Sequence, residues 1–355
     1  MASTGMAEVL AAALRRFAAE GRDATLLGGM QEALAQAARQ LAAPVLSASL
    51  FLEFPLVGPA HADMGLGLCA EPLCLGDEAT EQWPELPESV AWAASVDRLE
   101  DFIFAFDGAD LALGVRAAGL YCKHRGNMAA ARDFLCQSGA AELADGYATA
   151  AYRLPEGWLP LYAGNYHGRN HEAGKGRTKR VVRLEAALEP SVCKVLAHDA
   201  RSLNAELARM GFPGAGEATT SLSTACAQLL ALGLPATVQL DAHEDGSLAG
   251  SFGLTLFFTG THNSRMSLFY PDGAADKALR CLEALGVADG RWRQAVRGSF
   301  ALPVPFAPKD GVLHIAGVTC QPDCVKLKWT HGRLVPARLY QAVRVAPLGI
   351  TASAQ

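Results

Sequence analysis

The last thirty-two residues, Cys324 to Gln355, contain no aspartate or glutamate. Other absences bound the chain as firmly. No uninterrupted apolar run approaches the roughly 20 residues that span a bilayer. The opening Met1-Ala-Ser-Thr-Gly-Met-Ala-Glu lacks the basic and then apolar stretches of an export signal. A cytoplasmic protein with no membrane partner is therefore expected. Gly65-Leu-Gly-Leu lacks the third glycine and following helix of a dinucleotide fingerprint, and Gly214-Ala-Gly216 has no phosphate-loop lysine and threonine after it. The close cysteine pairs, Cys69 with Cys74 and Cys320 with Cys324, lack the two-residue spacing of a zinc knuckle. No cofactor and no metal are implied. The nine cysteines are odd in number and set among apolar residues, so they read as free, mostly buried thiols.

What is present describes a globular chain. Of 355 residues half are apolar, 19% are charged and the net charge is −5, which argues against a nucleic-acid partner. The charge is unevenly spread: Glu71 to Asp110 holds eleven acids against Arg98 alone, and Arg169 to Arg183 holds six bases against Glu172.

Helical spacing is evident at residues 6–20, 25–41, 128–137, 192–210, 219–232 and 274–285, the last followed by Gly286 as a cap. Between them lie hairpin patterns at 45–69, 101–121 and 236–256, and another at the C-terminus. Hairpins favour antiparallel pairing. The expected fold class is α+β, with antiparallel sheets covered by helices. Two related halves, 1–150 and 151–355, are the expected organisation; the second carries the basic loop and the C-terminal hairpin.

The C-terminal hairpin has the clearest pattern. Lys326 and Lys328 share one strand face, and Val325, Leu327 and Trp329 the other. The returning strand sets Pro336, Arg338, Tyr340 and Arg344 against Val335, Ala337, Leu339, Val343 and Val345. A cationic face of this kind is either a solvated sheet surface or a site for a carboxylate, phosphate or acidic peptide. The Gly-rich segment His167-Gly-Arg-Asn-His171-Glu172 has histidines four apart, but its glycines refuse a helix and metal binding with it. Its functional alternative is a loop that meets an anion or peptide through glycine amides with Arg169, Lys175, Arg177 and Arg180.

Three segments resemble the peptide-binding maturation proteins of ribosomal peptide natural-product clusters, of the crocagin type. They are residues 101–107 with Gly119-Leu-Tyr121, residues 162–169 leading to Arg180-Val-Val-Arg183, and residues 324–328 with Pro336-Ala-Arg-Leu-Tyr340. The resemblance implies binding of a ribosomally made precursor peptide whose aromatic core is cyclised with a partner oxygenase's help. An exposed sheet edge would take the peptide as an added strand. The anion-binding residues would then be Arg169, Lys175, Arg177, Arg180, Lys326, Lys328, Arg338 and Tyr340. His167 and Glu172 are candidates for acid–base chemistry. Hairpins bearing Lys, Arg and Tyr on one face are also similar to the αββα-barrel aromatic prenyltransferases. In those enzymes cations hold a diphosphate and tyrosines shield an allylic cation, roles that Lys326, Lys328, Arg338 and Tyr340 would take. That barrel calls for basic positions on successive hairpins, where this chain offers Ser49, Gln239 and Thr255.

Overall fold

Strands that alternate polar and apolar residues must bury one face, and here the buried apolar face is the outer one. The structure, a computed structural model, describes residues 48–59, 63–69, 101–106, 118–166, 179–216, 219–258, 273–293, 300–302, 315–330 and 332–347. The helices expected at 6–20 and 25–41 lie outside the described residues.

Eleven strands form one antiparallel sheet. They are β1 (Ala48–Pro55), β2 (Asp63–Cys69), β3 (Asp101–Phe106), β4 (Ala118–Lys123), β5 (Trp158–Tyr166), β6 (Val182–Leu188), β7 (Ala236–Ala242), β8 (Leu248–Phe257), β9 (Phe300–Leu302), β10 (Ile315–Thr330) and β11 (Arg333–Pro347). The order runs β11-β1-β2-β3-β4-β5-β6-β7-β8-β10, and β10 pairs back onto β11, so all but β9 close into a ring. β9 lies beside Val318–Cys320 of β10. The fold is α+β with antiparallel pairing and covering helices, as the hairpin patterns imply.

Six described helices cover the barrel: α1 (Met128–Gln137), α2 (Ala141–Tyr152), α3 (Pro190–His198), α4 (Ala200–Arg209), α5 (Thr220–Leu230) and α6 (Ala274–Ala284). Asn127 caps α1 by accepting from the Ala130 amide at 3.2 Å. The single helix expected over 192–210 is broken in two. Asp199 adopts an extended conformation there, and its carboxylate accepts from the Arg201 amide at 3.0 Å, which favours a new helix start over continuation. α2 had no counterpart in the sequence pattern. Residues on both sides of position 150 belong to the one sheet, and the 150/151 boundary falls inside α2. None of the described helices is long and apolar enough to cross a membrane.

The core fills the space between barrel and helices. Leu52, Phe54, Leu120, Leu184, Val238, Leu254, Leu327, Trp329 and Leu339 point outward from the strands and pack with Phe134, Leu143, Tyr147, Leu203, Leu222 and Leu279 of the helices. The alternate positions point inward and are largely polar. Replacing Leu339, which is fully buried on this outer face, by alanine is expected to cost about 2–5 kcal/mol. Arg333→Ala at the exposed start of the same strand should fall within about 0.5 kcal/mol of the parent protein. Urea unfolding midpoints check both.

Candidate active site

The inward positions converge on a cavity of about 140 Å³. Its walls carry four cations, Arg183, Lys326, Lys328 and Arg338, and three carboxylates, Glu53, Asp63 and Glu185. Tyr121, Tyr162, Tyr166 and Tyr340 stand among the charges, with Phe51, Ile103 and Phe257 as apolar walls. The period of two explains the convergence. Lys326 lies across from Arg338 on β11 and Thr255 on β8, and Glu53 lies across from Tyr340 and Asp63.

One ionic chain runs along the wall. Lys328 Nζ donates to Glu53 Oε1 at 3.2 Å, Arg338 Nε lies 3.6 Å from the same oxygen, and Arg338 donates to Asp63 Oδ2 at 2.7 Å. Tyr340 donates a further hydrogen bond to Glu53. Burial pushes the Glu53 carboxyl up, but Lys328, Arg338, Lys326 and the Tyr340 hydroxyl outweigh it and hold the pKa at about 2. Burial brings the Lys328 ammonium down to about 8, with the Arg338 and Lys326 charges adding to the effect and Glu53 opposing it. Burial and Glu53 together raise the Tyr340 phenol well above its ordinary range.

Across the cavity Arg183 is fixed from both sides. It donates to Asp241 at 2.9 and 3.4 Å and to the Tyr121 hydroxyl at 2.8 Å, and Ser251 in turn donates to Asp241 at 2.6 Å. Burial opposes its charge, but Asp241 and Tyr121 prevail and raise its pKa further. Glu185 accepts from Thr237 at 2.6 Å. Two glycines make room for these groups. A Cβ on Gly164 would lie 2.4 Å from the Tyr121 ring, and one on Gly253 would lie 2.9 Å from Cε of Lys326.

Lys326 differs from its neighbours. It is 7% exposed, faces the cavity, and makes no hydrogen bond or ion pair with any described residue. An ammonium on the cavity wall that is not hydrogen-bonded into the ionic chain is a ready partner for an anion. Among the described residues no three His, Cys, Asp or Glu side chains come together to hold a metal.

Of the residues singled out from sequence, Lys326, Lys328, Arg338 and Tyr340 meet in this cavity. Arg180 does not: it pairs with Glu142 and donates to the Gly139 carbonyl at 3.3 Å, on the helix side of the barrel. His167, Arg169, Glu172, Lys175 and Arg177 lie outside the described residues. Trp158 and Trp329 belong to the core beneath the helices. Glu53, Asp63, Tyr121 and Arg183 were not picked out. Their signal was alternation, with Glu53 sharing a face with Phe51 and Arg183 with Glu185.

No protein-family model and no curated protein matches the chain. Solved structures do. The apo form of the prenyltransferase PriB superposes with a TM-score of 0.55, at 14% identity over 97% of this chain and 99% of that one. The 5-dimethylallyltryptophan synthase from Streptomyces coelicolor gives 0.51, at 15% identity over 97% and 98%. A ternary complex of PriB with L-tryptophan and dimethylallyl thiolodiphosphate gives 0.52, at 13% identity over 97% and 98%. The fold is thus that of the aromatic prenyltransferase barrels.

These likenesses overturn the expectation of a precursor-peptide-binding protein that takes part in cyclising a peptide core, and favour the prenyltransferase resemblance. The barrel gives the physical reason. The basic segment of the C-terminal hairpin has both edges paired, to β8 and to β1, so it offers no edge for an added strand. Lys326, Lys328 and Arg338 face the cavity instead of an open sheet surface.

The Glu53 carboxylate, depressed in the folded state, contributes stability that is complete above about pH 4.5 and lost as pH falls from there toward 2. Unfolding free energy measured across that window should drop by a few kcal/mol more in the parent protein than in Glu53→Gln. Equal slopes would contradict the ionic chain described above.

Proposed function

We propose that this chain is an aromatic prenyltransferase that transfers an allylic group from its diphosphate to an aromatic acceptor within the barrel. The observation that carries the reading is Lys326, a 7% exposed lysine on the cavity wall that makes no hydrogen bond or ion pair among the described residues, set beside Lys328, Arg338 and four tyrosines. The fold likeness to PriB and to the dimethylallyltryptophan synthase supports it.

The charge balance shapes how such a substrate binds. Four cations line the cavity with Glu53, Asp63 and Glu185, and Asp241 behind Arg183 supplies a fourth carboxylate, so Lys326 is the cation not hydrogen-bonded to an acid. A diphosphate therefore takes Lys326 directly and competes with Glu53 and Asp63 for Lys328 and Arg338. Oriented donors of this kind stabilise the negative charge that develops on the leaving group. The bond between the allylic carbon and the diphosphate oxygen breaks, and the electron pair leaves with the diphosphate. Tyrosine faces stabilise the allylic cation until an aromatic carbon attacks it and a carbon–carbon bond forms. The ring proton then passes to a base.

Glu53 is placed for that last role. Cations hold its pKa down and burial pushes it up, so a diphosphate that draws Lys328 and Arg338 away makes the carboxylate more basic as the substrate binds. An arenium ion is a strong acid and needs only such a modest base.

Calorimetric titration with dimethylallyl diphosphate, paired with mass analysis of aromatic acceptors such as L-tryptophan, tests the reading. Lys326→Met should weaken diphosphate affinity by about 10–100-fold, the loss of one charge-assisted contact or more. Glu53→Gln should bind the diphosphate more tightly than the parent protein and yet form no prenylated product. A parent protein that binds no allylic diphosphate at low salt would sink the proposal.

A further inference from the structure

β4 and β5 carry the same triplet on neighbouring antiparallel strands, Gly119-Leu-Tyr121 and Gly164-Asn-Tyr166. Alternation puts the glycine and the tyrosine of each triplet on the inner face. Leu120 goes outward into the core, and Asn165 goes outward to donate to the Ser138 carbonyl at 2.8 Å. The register is reciprocal: Gly119 lies across from Tyr166, and Tyr121 across from Gly164. Each ring therefore rests where the neighbouring strand has no side chain. A Cβ on Gly119 would lie 2.6 Å from Cδ2 of Tyr166 and 3.1 Å from Cε2 of Tyr121, and one on Gly164 would lie 2.5 Å from Cε1 of Tyr121. Neither glycine has a positive φ, so backbone conformation does not call for them. The close approach of the rings does.

We propose that Gly119 and Gly164 are specificity-determining residues, which set the size of the hydrocarbon group the barrel accepts by letting Tyr166 and Tyr121 lie back against the wall. The inference rests on the prenyltransferase reading and names the wall that measures the allylic group. β4 stands halfway round the closed ring from β10, so the tyrosine pair faces the Lys326 side across the cavity. An anion held at Lys326 points the chain it carries toward that opposite wall. The wall beside the rings is low: Ala105 lies across from Gly119 and Gly65 across from Ala105, and both line the cavity with Tyr121 and Tyr166. Tyr121 is also held at its far end, where its hydroxyl accepts from Arg183 at 2.8 Å and Asp241 in turn fixes Arg183. A ring seated on a glycine and tied through its hydroxyl has a set depth. A methyl group placed behind it drives it into the cavity and takes space from whatever the cavity holds.

Calorimetric titration of the full chain with two ligands, inorganic diphosphate and dimethylallyl diphosphate, tests this. The parent protein should bind the dimethylallyl ester more tightly than the bare anion. Gly164→Ala and Gly119→Ala should each weaken the dimethylallyl ester by about tenfold, the scale of one misfitted methylene in an apolar pocket. Both should bind inorganic diphosphate as the parent does, which also reports an intact barrel. Gly164→Ala/Tyr121→Leu, which removes the displaced ring, should bind the ester more tightly than Gly164→Ala. Equal losses for the two ligands would make the glycines structural only and overturn the proposal. Unchanged affinity for the ester in both glycine variants, or a parent protein that gains nothing from the dimethylallyl group, would overturn it as well. In each of those cases the anion site stands. A parent protein that binds neither ligand fails the prenyltransferase reading itself, and this inference with it.

Discussion

Pairing of β1 with β11 closes the sheet, and the rest of the molecule depends on that closure. Leu50 lies opposite Val343 and Phe54 opposite Leu339, so residues nearly three hundred positions apart share a ladder. Once the ring is closed, each strand has an inside and an outside. The apolar side goes outward, where the helices bury it, and the polar side goes inward, where it has no protein layer to pack against. An open sheet with the same sequence would present its lysines to solvent as an ordinary charged surface. Closure turns them into the lining of a cavity.

A polar interior needs its own balance, since an uncompensated buried charge is costly. The chain meets this by interleaving acids with bases. Glu53 and Asp63 hold Lys328 and Arg338, and Asp241 holds Arg183. Lys326 stands outside that arrangement, supported by the space above Gly253. The result is a scaffold that is nearly neutral when empty and still has one cation to offer. An incoming anion gains most by rearranging the pairs, so binding and the basicity of Glu53 are linked through shared cations.

Much of this was legible in the residues. The two faces of the C-terminal hairpin, the end of one strand at Thr330 and the start of the next at Arg333, α1 and the approximate extent of α5 and α6 follow from periodicity and capping. Lys326, Lys328, Arg338 and Tyr340 follow from the same period of two. Closure was not legible, because alternation tells which residues share a face and not whether that face turns inward. For the same reason the cationic face looked like a peptide or solvent surface. Glu53 and Asp63 were passed over because each is a lone charge on its own strand, and Arg183 because Glu185 is its only charged neighbour on β6; only long-range pairing joins them. The length of β10 was not legible either, because Gln321, Pro322 and Asp323 interrupt its alternation at a register shift.

The central claim is that the barrel interior is an anion site organised around Lys326. A crystal structure of the protein with dimethylallyl thiolodiphosphate tests it most directly. The account predicts diphosphate oxygens within hydrogen-bonding distance of Lys326 Nζ, with Lys328 or Arg338 turned from Glu53 toward the ligand. A diphosphate bound elsewhere on the molecule, with the chain from Lys328 through Glu53 to Arg338 intact and Lys326 unengaged, would contradict it.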